Sequence, residues 1–403
     1  MKVLQLCHKM PFPLHDGGAY SIYHTALGLI SQNVDLKVFA INTPRNWVEK
    51  SVIPTDFVKK TRFEYARVDT RFSPVKALLN LFSNESYFVE RFYSKEFESY
   101  LIRILKEDSY DIVHLEHVYL CLYLDTIRKY SRARVVLRPQ NVENKVWERY
   151  LAHAYNPFIK SYLRLATKRL KQFEIKQVAK VDGIIAISEA DRQLFALYAP
   201  KIAMATVPIG FDFSIRQYLD TERQFENFPV FYHLGSMDWL PNAQAIRWFV
   251  EEVMPFVIKD YPEFIFRIAG KNMPQWFIKR QNKHLIVDRK VSESVDYHAD
   301  KAIMIVPLLS GGGIRAKIIE GMALGKVIIS TTIGAEGIPY TDQKNILIGN
   351  TKEELAIQIS KCRESKEFCR MIGKNAQLLA LEYYDCRNIA QQMIKFYSLQ
   401  PSV

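Results

Sequence analysis

The chain has 403 residues, 48% hydrophobic and 24% charged, which is the balance of a globular protein and a length that calls for two domains. Its five cysteines (Cys7, Cys121, Cys362, Cys369, Cys386) form neither a metal-type pair nor a dense framework, which excludes a disulfide scaffold and points to free thiols in a reducing compartment. The net charge of +12 is uneven, with 30 Lys/Arg against 21 Asp/Glu in residues 1–200 and 25 against 22 in the rest. A basic N-terminal half suits an anionic membrane or an acidic lipid-linked substrate, unless the basic side chains only solvate helices. No zinc-finger spacing, RNA-binding aromatic motif or basic zipper supports nucleic acid. The first apolar run is too short for a signal peptide, and none approaches the roughly 18 residues of a membrane span, so a cytoplasmic protein is expected.

Val3–Cys7, the pair Gly17-Gly18, a helix from Ala19 to about Ser31 and then Leu36–Ile41 read as a βαβ unit. The glycine pair at the helix start either lets a ligand approach or merely turns the chain. Residues 45–110 hold a strand over Arg62–Val68 and helices over Ser73–Leu81 and Lys95–Glu107. Asp111–His117 reads as a strand that ends in polar residues, and such ends are where open α/β sheets place ligands. His117 or Glu116 is the candidate there, with a histidine satisfied in a loop as the alternative. The strand Arg134–Arg138 runs into Pro139–Arg149, where Asn141 and Glu143 are further candidates and helix capping is the other reading of Asn141. The helix Pro157–Lys180 interleaves Lys160, Arg164, Lys168, Arg169, Lys171 and Lys176 with Tyr162, Leu163, Leu165, Leu170 and Phe173. Its apolar face fits a membrane surface or the protein's own sheet. Gly183–Ile187 is the next strand, and Ser188 to Asp191 carries a capping-box pattern.

After a polar linker, Gln217–Asn227, a second βαβ series opens with Val230–Leu234, the turn Gly235–Asn242 and a helix through Val253. Phe264–Ala269 and Leu285–Val287 continue the sheet, and Glu293–Tyr297 reads as a short helix. The most informative stretch follows. Ile303–Val306 suits a buried parallel strand, Gly311, Gly312 and Gly313 allow close approach of backbone N–H groups, and a helix runs from near Ile314 to Gly325. Ile318 and Met322 face the sheet with Ile314, while Gly313, Lys317 and Glu320 share another face. Backbone donors, the helix N-terminus, Lys317 and Arg315 match a diphosphate, and the carboxylate of Glu320 matches a sugar hydroxyl. A glycine-rich turn with a solvated Lys/Glu pair is the plainer reading.

Ile318–Ile328 resembles the "ILEAMAxGxPVV" run of retaining glycosyltransferases of family 4, which have the GT-B fold. Further runs resemble the same family: Gly17-Gly18 its "PxxGGxxxxxxxLxxxL" opening, Asp111–His117 its "DVVHxH" strand, Pro139–Trp147 its "HNVExxxW" segment, Val207–Asp212 its "xPNGVD" turn, and Gly235–Asn242 the "GxMxWxPN" turn of one subgroup. The resemblance implies an α/β chain with two Rossmann-like domains facing a cleft: 1–210 on the acceptor side, 228–380 binding the donor, and 381–403 crossing back as a helix. It implies a nucleoside-diphosphate sugar as donor, with Gly311, Gly312, Gly313, Arg315 and Lys317 on the diphosphate and Glu320 on the ribose. It also implies that His117, Gly17, Gly18, Glu116, Asn141 and Glu143 line the cleft, with His117, Lys317 and Arg315 serving the reaction. No metal or cofactor is expected.

Two departures stand out. The first of the family's two glutamates falls at Gly312, and the arginine and lysine of its other turn fall at Ser236 and Asn242. Diphosphate charge then rests more heavily on Lys317, Arg315 and the helix terminus. The expected activity is retaining sugar transfer to a glycan or lipid-linked acceptor in cell-envelope polysaccharide assembly, with contact to the inner face of a membrane. A nucleotide-sugar epimerase of similar fold and a non-catalytic sugar-nucleotide-binding partner are the alternatives.

Overall fold

The computed structural model describes residues 1–14, 17–152, 157–214, 222–288, 294–311 and 313–399. Gly312, Glu293 and part of the expected linker 217–227 lie outside the described residues. The chain forms two compact units, Met1–Gly210 with Cys386–Val403, and Phe211–Asp385. The second unit extends past 380 because the helix Lys366–Tyr384 runs on through that position.

The first unit is built on seven strands: β1 (Lys2–Cys7), β2 (Asp35–Asn42), β3 (Glu64–Arg67), β4 (Ile112–Leu115), β5 (Arg134–Leu137), β6 (Gly183–Ala186) and β7 (Met204–Thr206). The order is β3-β2-β1-β4-β5-β6-β7, with every pairing parallel. Alternate residues feed two apolar layers, as the pleat requires. Leu4, Leu6, Phe39, Val113 and Leu115 lie in one; Val3, Cys7, Val38, Ala40 and Ile112 lie in the other. The second layer is closed by the returning helix Cys386–Tyr397, whose Ile389, Ala390, Met393, Phe396 and Tyr397 form one helical stripe.

The long basic helix, observed over Pro157–Val178, gives Leu163, Ala166, Leu170 and Phe173 to the first layer. Its apolar face is therefore taken by its own sheet, which corrects the membrane reading of that face. No helix among the described residues is long and apolar enough to cross a membrane.

The second unit has six parallel strands: β8 (Phe231–Leu234), β9 (Phe266–Ala269), β10 (Leu285–Asp288), β11 (Ile303–Val306), β12 (Val327–Ser330) and β13 (Leu347–Ile348), in the order β10-β9-β8-β11-β12-β13. β11 and β12 are buried along their whole length, which is why they read as unbroken apolar runs.

Each sheet reverses its winding once, between β1 and β4 in the first unit and between β8 and β11 in the second. Chains leaving the carboxyl ends of these neighbours diverge and open a crevice, the place where open α/β sheets bind ligands. The segments that follow β1, β4, β8 and β11 therefore supply the candidate site.

Candidate functional site

At the second unit's reversal, β11 gives way to a glycine loop. Gly311 has φ +120°, a conformation that side chains resist, and a Cβ there would press on Arg315 Nη2 at 2.9 Å. The helix Ala316–Ala323 follows, starting two residues later than Ile314, with Arg315 at its N-cap and no side-chain cap on its first N–H groups. Ile318 and Met322 are buried against the sheet. A hollow of about 260 Å³ lies over the loop, lined by Ser310, Gly311, Thr332, Ile333 and Glu336.

Lys317 reaches across the reversal to the β8 turn. Its ammonium donates to Asn242 Oδ1 at 2.8 Å and to His233 Nε2 at 3.3 Å. His233 Nδ1 donates to the Ile305 carbonyl at 2.8 Å, so its Nε2 carries the lone pair that Lys317 uses. Asn242 is held by its own amide, whose Nδ2 donates to the Ser236 carbonyl at 2.8 Å. A Cβ on Gly235 would collide with the ammonium. Burial, with Arg315 nearby, lowers the Lys317 pKa to about 7. The third N–H of the ammonium has no partner among the described residues.

Arg315 is buried, donates to the Gly313 carbonyl at 2.5 Å, lies 5.6 Å from the Trp239 ring centroid and stands 4.0 Å from Glu336. Glu320 is buried one turn deeper, its Oε2 3.9 Å from His298 Nε2. The hydroxyl of Tyr232 and His298 Nδ1 are hydrogen-bonded at 2.5 Å, while His298 Nε2 is buried without a hydrogen-bond partner among the described residues. Burial, together with Lys326 and Lys301, holds His298 well below the usual histidine range, so it is neutral. His233 thus positions Lys317, and His298 stands behind Glu320. No spacing in the sequence pointed to either, because both lie on other strands or helices than their partners.

In the first unit, the segments after β1 and β4 meet where the rings of His8 and His117 stand 4.2 Å apart. His117 Nδ1 accepts from the Tyr119 backbone N–H at 3.2 Å, so its Nε2 carries the proton and donates to Glu143 Oε1 at 3.1 Å. Glu143 Oε2 accepts from the Tyr119 hydroxyl at 3.0 Å, and the Asn141 side chain also bonds Glu143. Burial pushes the Glu143 carboxyl up, but His117, Tyr119 and Asn141 outweigh it and hold it below the usual range. Glu143 starts the helix Glu143–Ala152, and Glu174 from the basic helix caps that start, accepting from the N–H groups of Glu143 (3.0 Å) and Asn144 (3.1 Å). Burial raises the Glu174 pKa to about 7. Glu174 was hidden in the sequence among the basic residues of its helix.

The structure separates His117 from Glu116. Glu116 is wholly enclosed, accepting from Gln5 at 2.6 Å and His114 at 3.2 Å, while the Tyr397 hydroxyl donates to His114 Nδ1 at 2.6 Å. It ties β1, β4 and the returning helix together and is out of reach of a ligand, which corrects its place as a cleft residue. Gly17 is exposed and Gly18 partly so, at the start of the helix Gly17–Ser31, and Gln140 donates to the Gly18 carbonyl at 3.4 Å. Among the described residues no group of three His, Cys, Asp or Glu could hold a metal ion.

Two Rossmann-like units, each with a parallel sheet that reverses its winding once, define the class as the GT-B fold. Residues 228–365 match the family model described as "Glycosyl transferases group 1". The chain is 23% identical over 306 residues, 73% of its length and 75% of the relative's, to an uncharacterized 44.6 kDa protein in the cps region of Klebsiella pneumoniae. In fold it is similar to sucrose-phosphate synthase from Thermosynechococcus elongatus, with TM-score 0.70 and 14% identity over 98% of both chains. It is likewise similar to Anabaena Alr3699/HepE in complex with UDP, with TM-score 0.65 and 14% identity over 99% of this chain and 100% of that one.

Proposed function

We propose that this protein is a retaining glycosyltransferase that moves a sugar from a nucleoside-diphosphate sugar to a glycan or lipid-linked acceptor. The observation that carries the reading is the Lys317 ammonium, at the reversal of the second sheet, beside an uncapped helix start and a glycine loop. That arrangement suits a diphosphate. The group 1 match over this unit and the UDP complex of a protein of like fold support the same donor class.

In this reading the diphosphate lies along Gly311–Gly313, with Lys317 and Arg315 near its oxygens and Glu320 accepting a ribose hydroxyl. The bond between the anomeric carbon and the phosphate oxygen breaks, and its electron pair stays on the diphosphate. Positive charge at that developing negative charge is what lowers the barrier. The acceptor oxygen attacks the face the leaving group vacates, and its proton passes to the departing phosphate oxygen. The neutral side chains Ser236 and Asn242 leave Lys317, Arg315 and the helix start to carry the charge that further cations would share. His117, backed by Glu143, Tyr119 and Asn141, serves the acceptor side. A role in cell-envelope polysaccharide assembly, at the inner face of a membrane, fits the cps-region relative and the basic first unit.

A thermal-shift screen of nucleoside diphosphates and their sugars tests the donor site. One diphosphate should raise the midpoint by mass action, and Lys317→Ala and Glu320→Ala should abolish the shift. Transfer or hydrolysis of the labelled sugar then tests the chemistry. Binding without turnover would move the reading to a non-catalytic partner.

A further inference from the structure

The first unit holds an apolar hollow that the donor chemistry does not use. The rings of Phe72, Tyr87, Phe88, Trp147 and Tyr162 wall a space of about 740 Å³, within the range of small-molecule sites. Trp147 and Phe88 stack at 3.7 Å, which fixes one wall. Arg91 is the one charged residue of the described lining. Its Nε and the Tyr162 hydroxyl are buried and have no hydrogen-bond partner among the described residues. Two buried donors without acceptors, at the side of an apolar chamber, are costly unless a ligand supplies the acceptor.

Two neighbours narrow the ligand. The segment from Phe72 is tied to the wall, since the Tyr87 hydroxyl accepts from the Ser73 N–H at 2.9 Å, and it exposes Val75, Leu78, Leu79 and Phe82, the last 89% exposed. Such an apolar edge, with Arg169 of the basic helix donating to the Asn80 and Leu81 carbonyls beside it, suits lipid. On the other side, the indole N–H of Trp147 bonds the Tyr119 hydroxyl, which donates to Glu143, the partner of His117. The chamber wall is thus one hydrogen bond removed from the cluster placed on the acceptor side.

We infer that the chamber takes the hydrocarbon chain of a lipid-phosphate acceptor drawn from a bilayer, with its phosphate against Arg91 and Tyr162. The word acceptor rests on the proposed transferase activity; the lipid-phosphate site does not. The chain replaces water on the aromatic walls, and the phosphate oxygens satisfy the two buried donors. Arg91 holds an anion by charge and hydrogen bonds together.

Calorimetric titration with farnesyl phosphate, farnesol and inorganic phosphate tests this, alongside the nucleoside-diphosphate thermal shift. The wild type should bind farnesyl phosphate at least about tenfold more tightly than farnesol, a preference of ~1.4 kcal/mol, and inorganic phosphate not measurably. Arg91→Gln should erase the preference and keep farnesol binding. Val146→Trp, which fills the chamber from its rim, should lose both ligands while unfolding at the wild-type temperature. Farnesyl phosphate affinity unchanged in both folded variants would overturn the site. So would co-sedimentation with phosphatidylglycerol vesicles, equal in all three proteins, without farnesyl phosphate binding, because that is adsorption through the exposed segment. A nucleoside-diphosphate shift without lipid binding overturns this inference alone; lipid binding without a shift from any nucleoside diphosphate overturns the donor reading alone.

Discussion

Lys317 donates to Asn242 across the reversal of the second sheet, at 2.8 Å, so the segments that diverge after β8 and β11 are joined by one cation. Replacing Lys317 by alanine removes a charged donor, worth roughly 1.5–3 kcal/mol in a hydrogen bond. Affinity for the nucleoside diphosphate that shifts the wild type should fall by about tenfold to a hundredfold. Gly235→Ala should produce much of the same loss with the lysine present, because the added methyl displaces the ammonium. Titration calorimetry of both variants checks this.

The depressed pKa of Lys317, about 7, gives the proposed diphosphate binding a pH signature. Between pH 7 and the unfolded lysine value near 10.4, the folded site holds a neutral amine and the unfolded chain an ammonium. The unfolded state then binds the extra proton, so this group's contribution to stability rises with pH across that window. A diphosphate favours the ammonium, so binding at pH 8 should take up about one proton. Measuring binding enthalpy in buffers of different ionisation heat reads that number directly. Lys317→Met should reduce it toward zero.

Glu143 has the same sign of pH dependence, in the acid range. Its folded pKa is held below the unfolded carboxyl value by His117, Tyr119 and Asn141 against burial. The stability it contributes is present above about pH 4.3 and is lost as pH falls through the folded pKa. Glu143→Gln should lower stability at pH 7 by roughly 1–3 kcal/mol and flatten the acid limb of the denaturation curve. Urea unfolding at pH 7 and pH 4 compares the two.

His117 lies in the first unit, whereas the residues proposed for the diphosphate lie in the second. His117→Ala should therefore cut sugar transfer by up to about a hundredfold, the scale of a misplaced reactant, and leave the nucleoside-diphosphate thermal shift unchanged. Transfer kinetics beside the shift assay separate the two roles.

The returning helix is a structural requirement of the first unit. Tyr397→Phe leaves the buried His114 Nδ1 without its donor and should cost about 1–3 kcal/mol. Ending the chain at Asp385 would bare the layer under Ile389, Met393 and Phe396 and should leave the first unit unable to fold cooperatively. Circular dichroism melts of both proteins test this.

Most strands were legible because parallel strands buried on both faces must be apolar throughout, as Ile303–Val306 is. The helix Lys95–Glu107 was legible from its 3.6-residue period and the capping serine before it. The short helix Tyr87–Glu90 and the turn Val118–Tyr123 were not, since neither is long enough to show a period.

The same division holds at the candidate site. Local chemistry determined the glycine loop, the cation and carboxylate on one helix face, and the polar strand ends. It could not say that Lys317 meets Asn242, that Glu116 turns inward while His117 bonds Glu143, or that Glu174 caps the helix carrying Glu143. Those partners lie on other elements of the chain, and strand order and helix packing bring them together. A single sequence records the period of each element, because each residue's burial leaves its mark there. Which element lies beside which is decided only when apolar faces and buried polar groups must all be satisfied at once.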